Sequence, residues 1–143
     1  MSISELKEEL QKDLKIEMDD IHKDSNENPL LHGKWLGYAL DEQIKLASLQ
    51  SKLKQLKLKK RNYYLGRGDP QEYKEKPFNL NILKGEVDRF VDADPDIREL
   101  EDRINARMIL IDFLEGAVKA ISSKQWAIKN TIAFLHFKNG MGG

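Results

Sequence analysis

The sequence contains no cysteine, so disulfide bonds, thiolate metal sites and cysteine nucleophiles are all excluded. Its longest nearly apolar run, residues 108–114, is interrupted by Asp112 and is too short to span a bilayer. The first ten residues alternate apolar and charged side chains, so they lack the apolar core of a signal peptide. These absences predict a soluble, cytoplasmic protein.

Residues that could carry out catalysis are also missing. The three histidines have no ligand-like spacing, and no serine–histidine or acid–base pair stands out. An aspartate series opens like a calcium loop at Asp92, but Ile97 and Arg103 stand where that loop needs glycine and glutamate. Gly66 and Gly68 follow a predicted helix rather than a strand and lack the lysine of a phosphate loop. We therefore predict a protein that is not an enzyme and that has no metal and no cofactor.

Proline is scarce, and its placement predicts long helices. A capping box at Ser2 and Glu5 indicates a short amino-terminal helix. Residues 24–29 read as a loop, with Asn28 as the N-cap and Pro29 in the first turn of a helix over about residues 30–64. Apolar positions of this helix follow a 3-4 repeat that forms one stripe: Trp35, Ala39, Leu46, Leu49, Leu53 and Leu56, continued by Lys60 and Tyr63.

The second half of the chain also has helical patterning. Residues 65–78 are predicted to form a loop, and residues 79–91 a helix with Leu80, Leu83, Val87 and Phe90 facing inward. Asp94 and Pro95 then read as the cap and first turn of a long helix, which the serine pair at 122–123 interrupts or recaps before a frayed end at 140–143. No alternating strand pattern is present. The fold class is all-α, with long amphipathic helices and no sheet.

The carboxy-terminal third is apolar on more than one face, which is typical of buried helices. We expect self-association to provide that burial, so that the helices pack into a homo-oligomer. The predicted oligomerisation residues are Ile104, Met108, Ile111, Leu114, Val118, Ile121, Ile128, Ile132 and Leu135.

Net charge is zero, yet the charges are segregated along the chain. Residues 45–68 carry eight basic side chains and no acidic one, whereas residues 86–102 carry eight acids and two arginines. A basic helix followed by a tyrosine pair suits single-stranded DNA, because aromatic rings stack on unpaired bases. The predicted DNA-binding residues are Lys52, Lys54, Lys57, Lys59, Lys60, Arg61, Tyr63, Tyr64 and Arg67.

An alternative explanation of the same block remains open. The basic helix could be the solvated flank of a coiled-coil adaptor protein, with its lysines paired to acidic helices within or between subunits. Titration with a single-stranded oligonucleotide separates the two hypotheses.

The chain resembles the UvsY family of recombination mediators from T-even-like phages. The resemblance spans nearly the whole sequence in short matches: Leu6, Glu8-Glu9-Leu10, Lys12-Asp13, Lys34-Trp35-Leu36, Tyr63-Tyr64, Gly66-Arg67-Gly68-Asp69, Ala93-Asp94, Asp96, Leu110, Asp112-Phe113, Gly116-Ala117, Ala120-Ile121, Ser123 and Ala127-Ile128-Lys129.

The resemblance implies a function that composition and spacing do not reach. Members of the family bind single-stranded DNA, assemble into rings of six or seven subunits through the carboxy-terminal part, and help a RecA-like recombinase displace single-strand-binding protein. They stimulate the recombinase's ATPase without enzymatic activity of their own. The setting this implies is the cytoplasm of an infected host cell, where such proteins act in DNA recombination, repair and replication.

The family's DNA-binding motif has two basic residues, separated by one small residue, just before the tyrosine pair. Matching that pattern selects Lys57 and Lys59, whereas counting back from Tyr63 without gaps selects Leu58 and Lys60. Residues 1–78 are accordingly assigned to DNA binding and residues 79–143 to oligomerisation.

Overall fold

The computed structural model describes residues 1–142, and within them every regular element is helical. The all-α prediction is confirmed. The elements in chain order are α1 (Ile3–Leu14), a single 3₁₀ turn (Met18–Asp20), α2 (Ile21–Tyr64), α3 (Pro70–Glu75), α4 (Val87–Ala93) and α5 (Pro95–Gly142). Gly143, the last residue of the predicted frayed end, lies outside the described residues. No helix in the described part of the chain has both the length and the apolar character that a membrane span requires.

Helix α1 begins as its sequence predicts. The Ser2 hydroxyl accepts a hydrogen bond from the Glu5 backbone N–H at 3.2 Å, and the Glu5 carboxylate accepts one from the Ser2 N–H at 3.3 Å. This reciprocal pair satisfies two backbone donors that a helix start otherwise leaves exposed.

Helix α2 starts earlier than predicted, at Ile21, so the expected loop at 24–29 is wrong. Asn28 does not cap a helix; its side-chain amide instead donates to the Ile121 carbonyl at 3.1 Å and to the Gln125 side chain at 3.2 Å. Pro29 therefore lies inside the helix and removes one backbone hydrogen bond. Burial of Ile21 and the two hydrogen bonds of the Asn28 amide nitrogen offset that loss.

The end of α2 is a Schellman motif centred on Gly66. Gly66 has a φ of 78°, its N–H donates to Tyr63, and the Arg67 N–H donates to the Asn62 carbonyl at 2.7 Å. The loop predicted after it contains one short helix, α3, which Asp69 caps by accepting from the Gln71 N–H at 3.0 Å.

The helix predicted over residues 79–91 forms only from Val87 onward, as α4. Leu80 and Leu83 are exposed, so their predicted inward placement is wrong, while Val87 is fully buried. Asn79, Asn81 and Gly85 favour turns over helix, which accounts for the late start.

Helix α5 begins at the predicted position and runs unbroken to Gly142. The Asp94 carboxylate accepts from the Asp96 N–H at 2.8 Å and caps it. The serine pair at 122–123 causes no interruption, and the predicted frayed end is wrong for residues 140–142.

The chain divides into two compact units, one made of residues 1–43 with 109–143 and the other of residues 44–108. In the first unit, Trp35, Leu114 and Ile121 are the most deeply buried members of the core, which α1 covers through Leu6. The Trp35 indole N–H donates to the Asp13 carboxylate at 2.9 Å, and the buried Lys124 ammonium donates to the Asp13 carbonyl at 2.7 Å.

The second unit, residues 44–108, has two small clusters. Leu49, Leu100 and Ile104 form one, and Val87, Val91 and Ile97 form the other. Every predicted stripe position of α2 is buried or half-buried in one of the two units, so that prediction is confirmed. The predicted functional division at residue 78 does not coincide with these units and stays a prediction.

Candidate nucleic-acid interface

The second unit contains the whole basic block of residues 45–68 and carries 15 basic and 11 acidic side chains, a net charge of +4. Four of the lysines predicted to bind DNA are exposed on α2 in this unit: Lys52, Lys54, Lys57 and Lys59. None of the four has a carboxylate oxygen within 4.0 Å anywhere in residues 1–142. Their charges are therefore available to an external anion.

Two of these lysines border a groove of about 460 Å³ between α2 and α5. Lys52 and Lys59 lie seven residues apart, hence on one side of α2, and Arg103 of α5 completes the basic lining. Asp96 and Glu99 also line the groove, so its lining contains both signs of charge. Sequence reasoning missed Arg103, because its place opposite Lys59 depends on how the helices pack.

Lys60 differs from its neighbours because its side chain is only 13% exposed. Its ammonium lies 2.7 Å from the Asp96 carboxylate and 3.3 Å from that of Asp94. Burial lowers the pKa of Lys60, but the hydrogen bond to Asp96 and the charge of Asp94 outweigh it and raise that pKa above 10.5. Lys60 thus stays charged, with its charge already matched inside the unit.

Arg61 is also paired, but at the surface. Its guanidinium lies 2.8 Å from the Asp88 carboxylate, with the side chains 43% and 77% exposed. Exposed pairs of this kind contribute about 0–1 kcal/mol, so a phosphate can compete for the arginine.

The tyrosine pair packs into an aromatic cluster formed by Tyr63, Tyr64, Tyr73, Phe78 and Phe90. Tyr63 is 8% exposed and stacks on Tyr73 with ring centroids 5.0 Å apart. Its hydroxyl donates to the Lys76 carbonyl. Tyr64 meets Phe78 edge to face at 5.0 Å. The flat faces expected for stacking on bases are therefore engaged within the protein.

Tyr64 also takes part in the Lys60 network. Its hydroxyl donates to the Asp94 carboxylate at 2.7 Å. Burial and this hydrogen bond raise the pKa of Tyr64 well above its usual value, so the hydroxyl remains protonated. Sequence reasoning missed the roles of Tyr73 and Phe78, which the density of aromatic residues in 63–78 could have indicated. It assigned Asp94 to the cap of α5 but missed its contacts with Lys60 and Tyr64.

Arg67, whose backbone N–H closes the Schellman motif, is exposed, and its side chain has no partner in the described residues. It follows the end of the helix that carries the four exposed lysines.

Most of the predicted oligomerisation residues belong to the chain's own cores. Ile104, Ile111, Leu114, Ile121 and Ile128 are buried. Val118, Ile132 and Leu135 are half-buried, and Met108 is 46% exposed. Large apolar side chains that remain exposed on the last part of α5 are Trp126, Phe134 and Phe137. The role of these residues in self-association stays a prediction.

Comparison with known proteins identifies the family. The family described as "Recombination, repair and ssDNA binding protein UvsY" matches residues 9–141. The chain belongs to the UvsY family. It is 30% identical to the recombination protein uvsY of Enterobacteria phage T4 over 141 residues, which cover 98% of this chain and 99% of the relative.

Solved structures agree with this UvsY-family assignment. One crystal form of the bacteriophage T4 recombination mediator protein UvsY superposes with a TM-score of 0.82 at 28% identity, covering 97% of this chain and 98% of that one. A second crystal form also gives 0.82 at 28% identity, with 94% and 98% covered. The all-helical fold described above is thus the fold of this family.

Proposed function

We propose that this UvsY-family protein is a recombination mediator that binds single-stranded DNA as a homo-oligomer. It promotes loading of a RecA-like recombinase onto strands covered by single-strand-binding protein, in the cytoplasm of the infected host cell, and catalyses no reaction itself. The observation that carries the proposal is the group of four exposed, unpaired lysines on α2, at Lys52, Lys54, Lys57 and Lys59. Unmatched positive charge of this kind attracts the phosphate backbone.

The placement of the lysines favours one register of the DNA motif. Lys57 and Lys59 are exposed on either side of Leu58, which is itself 62% exposed. Lys60 is paired with two aspartates, so its charge is already neutralised within the subunit. Lys57 and Lys59 therefore contact phosphates, with Lys52, Lys54 and Arg67 extending the path.

Lys60, Tyr63 and Tyr64 act indirectly. They hold the end of α2 against the start of α5 and against the segment that follows α3. These contacts keep the exposed lysines of α2 in a fixed arrangement. Arg61 is intermediate, since its exposed pair with Asp88 can open to a phosphate.

Self-association multiplies these contacts. Phe134 and Phe137, which are exposed on the last part of α5, offer apolar surface that a neighbouring subunit would cover. In a ring of six or seven copies, each weak lysine–phosphate contact raises the effective concentration of the strand at the next subunit. Binding should therefore fall when assembly fails.

The test is an anisotropy titration of a labelled single-stranded oligonucleotide at several salt concentrations. We expect affinity to fall with salt, with a log–log slope of about −0.7 per phosphate neutralised. An affinity that does not change with salt would overturn the electrostatic mechanism. Loading is tested separately, by measuring whether the protein shortens the lag of recombinase ATPase on a strand precoated with single-strand-binding protein.

The adaptor hypothesis has one observation in its favour, namely that Lys60 and Arg61 do pair with aspartates. Those pairs are satisfied within the subunit, however, and leave the four exposed lysines unmatched. An adaptor would bind an acidic helix but give no anisotropy change with the oligonucleotide.

A further inference from the structure

A second candidate site lies in the first unit, in a groove of about 520 Å³ between α2 and α5. It is lined by Asn28, Pro29, His32, Ser122, Gln125, Trp126 and Lys129. Its volume is in the range of small-ligand sites. None of the residues predicted from sequence to bind DNA belongs to it.

The groove presents an aromatic ring with a cation over one of its faces. Trp126 is 66% exposed, which is unusual for the largest apolar side chain, and the Lys129 ammonium lies 5.1 Å from its ring centroid. No acidic side chain is among the described residues that line the groove. The lining is therefore complementary to a ligand that combines a flat ring with negative charge.

One lining residue, Asn28, has an unused hydrogen-bond acceptor. Asn28 is 3% exposed, and both of its contacts use the amide nitrogen. Its side-chain oxygen is buried and has no hydrogen-bond partner in residues 1–142. An unsatisfied buried acceptor destabilises the fold, so a ligand N–H that reached it would be favoured.

We propose that this groove is a second single-strand contact, which takes one unstacked nucleobase. The base stacks on Trp126, donates an N–H to the Asn28 side-chain oxygen, and has its phosphate near Lys129. The proposal rests on the proposed function, because it gives the same strand a contact in the first unit. Stacking on an aromatic side chain does not depend on which base is present, and a recombination mediator must bind strands of any sequence.

The experiment uses the full chain and a labelled oligothymidine strand, with two readouts in one titration. Label anisotropy reports binding anywhere on the protein. Tryptophan emission reports this groove, because Trp35 is fully buried and Trp126 is exposed. We expect the anisotropy rise and a quench of emission to occur together. A strand of equal phosphate count whose sites are abasic should bind without the quench.

Two variants separate stacking from structure. Trp126→Ala should weaken affinity at least about fivefold, while Trp126→Phe should keep affinity and lose the quench. Light scattering on each variant checks assembly. If Trp126→Ala dissociates the oligomer, the groove is a subunit contact and the proposal is overturned.

The remaining outcomes distinguish the two proposals. Binding by the wild-type protein without a quench, or unchanged affinity of Trp126→Ala, overturns the nucleobase subsite and leaves the proposed function intact. Absence of any anisotropy change with the wild-type protein overturns both.

Discussion

The ammonium of Lys60 lies 3.3 Å from a carboxylate oxygen of Asp94, and the same oxygen accepts a hydrogen bond from Tyr64. The other oxygen of Asp94 caps α5. One carboxylate, only 5% exposed, therefore joins the last turns of α2 to the first turn of α5. Lys60, which the sequence predicts to bind DNA, thus helps to hold the end of α2 against the start of α5.

Removal of this carboxylate should destabilise the protein strongly. Asp94→Ala removes the cap and leaves a mostly buried ammonium with one partner fewer, so we expect a loss of about 3 kcal/mol. Asp92→Ala, an exposed aspartate two residues away, is the matched control and should change stability by less than about 0.5 kcal/mol. Urea unfolding followed by circular dichroism measures both. Equal midpoints for the two variants would contradict the structural role of Asp94.

The same network predicts how stability depends on pH. Burial opposes ionisation of Asp94, but the hydrogen bonds from Tyr64 and the Asp96 N–H and the charge of Lys60 lower its pKa below 3.8. This carboxylate therefore stabilises the fold above pH 3.8 and ceases to do so as acid protonates it. The pKa values of Lys60 and Tyr64 are raised, so their contributions hold below about pH 10 and disappear at higher pH.

The melting temperature, followed across pH, tests this dependence. Wild-type protein should be most stable between about pH 4 and pH 10 and should lose stability on both sides. Tyr64→Phe lacks the titrating hydroxyl, so its melting temperature should fall less steeply above pH 10. A variant curve parallel to that of the wild type would show that Tyr64 does not titrate differently in the folded state.

Substitutions of the α2 lysines should fall into two groups, those that weaken DNA binding and those that lower stability. The double variant Lys57→Ala/Lys59→Ala should weaken single-strand binding with stability unchanged, and the salt slope should fall by about 0.7 for each phosphate that is no longer neutralised. Lys60→Ala should instead lower the urea midpoint, because it breaks the pairs with Asp94 and Asp96. If Lys60→Ala were stable and bound DNA poorly, the register that selects Leu58 and Lys60 would be correct.

Two glycines, one inside α2 and one in its cap, should respond in opposite directions to alanine. Gly66 has a φ of 78°, which alanine adopts only with strain, so Gly66→Ala should cost about 1 kcal/mol. Gly33 lies inside α2, where a Cβ would meet no described atom within 4 Å apart from its chain neighbours and the adjoining helix backbone, so Gly33→Ala should stabilise by about 0.5–1 kcal/mol. Thermal unfolding of the pair provides the measurement. The same sign for both would contradict the Schellman assignment.

Much of the fold follows from local patterns in the sequence. The capping box at Ser2, the cap at Asp94 and the 3-4 repeat of α2 each depend on residues within a few positions, and all three are confirmed. The start of α2 was not predictable in this way. Asn28 and Pro29 carry the local signature of a helix start, but a hydrogen bond from Asn28 to Ile121, far away in sequence, decides the structure.

The candidate site shows the same limit. Charge segregation identified the basic block, and exposure of Lys52, Lys54, Lys57 and Lys59 agrees with it. The block does not reveal which basic residue is paired, because Asp94 and Asp96 reach Lys60 only through the packing of helices. The groove at Trp126 likewise joins two segments about a hundred residues apart.

The amino-terminal helix has a consequence for how the chain can be probed. With 12 residues, α1 is at the lower limit of length for an isolated helix in water, so it exists because Leu6 and Asp13 find partners on the first unit. Detachment and melting of this segment are therefore a single event. Cleavage after Lys12, inside the helix, requires that event, so the rate of cleavage there would measure how tightly the protein holds its own first turns.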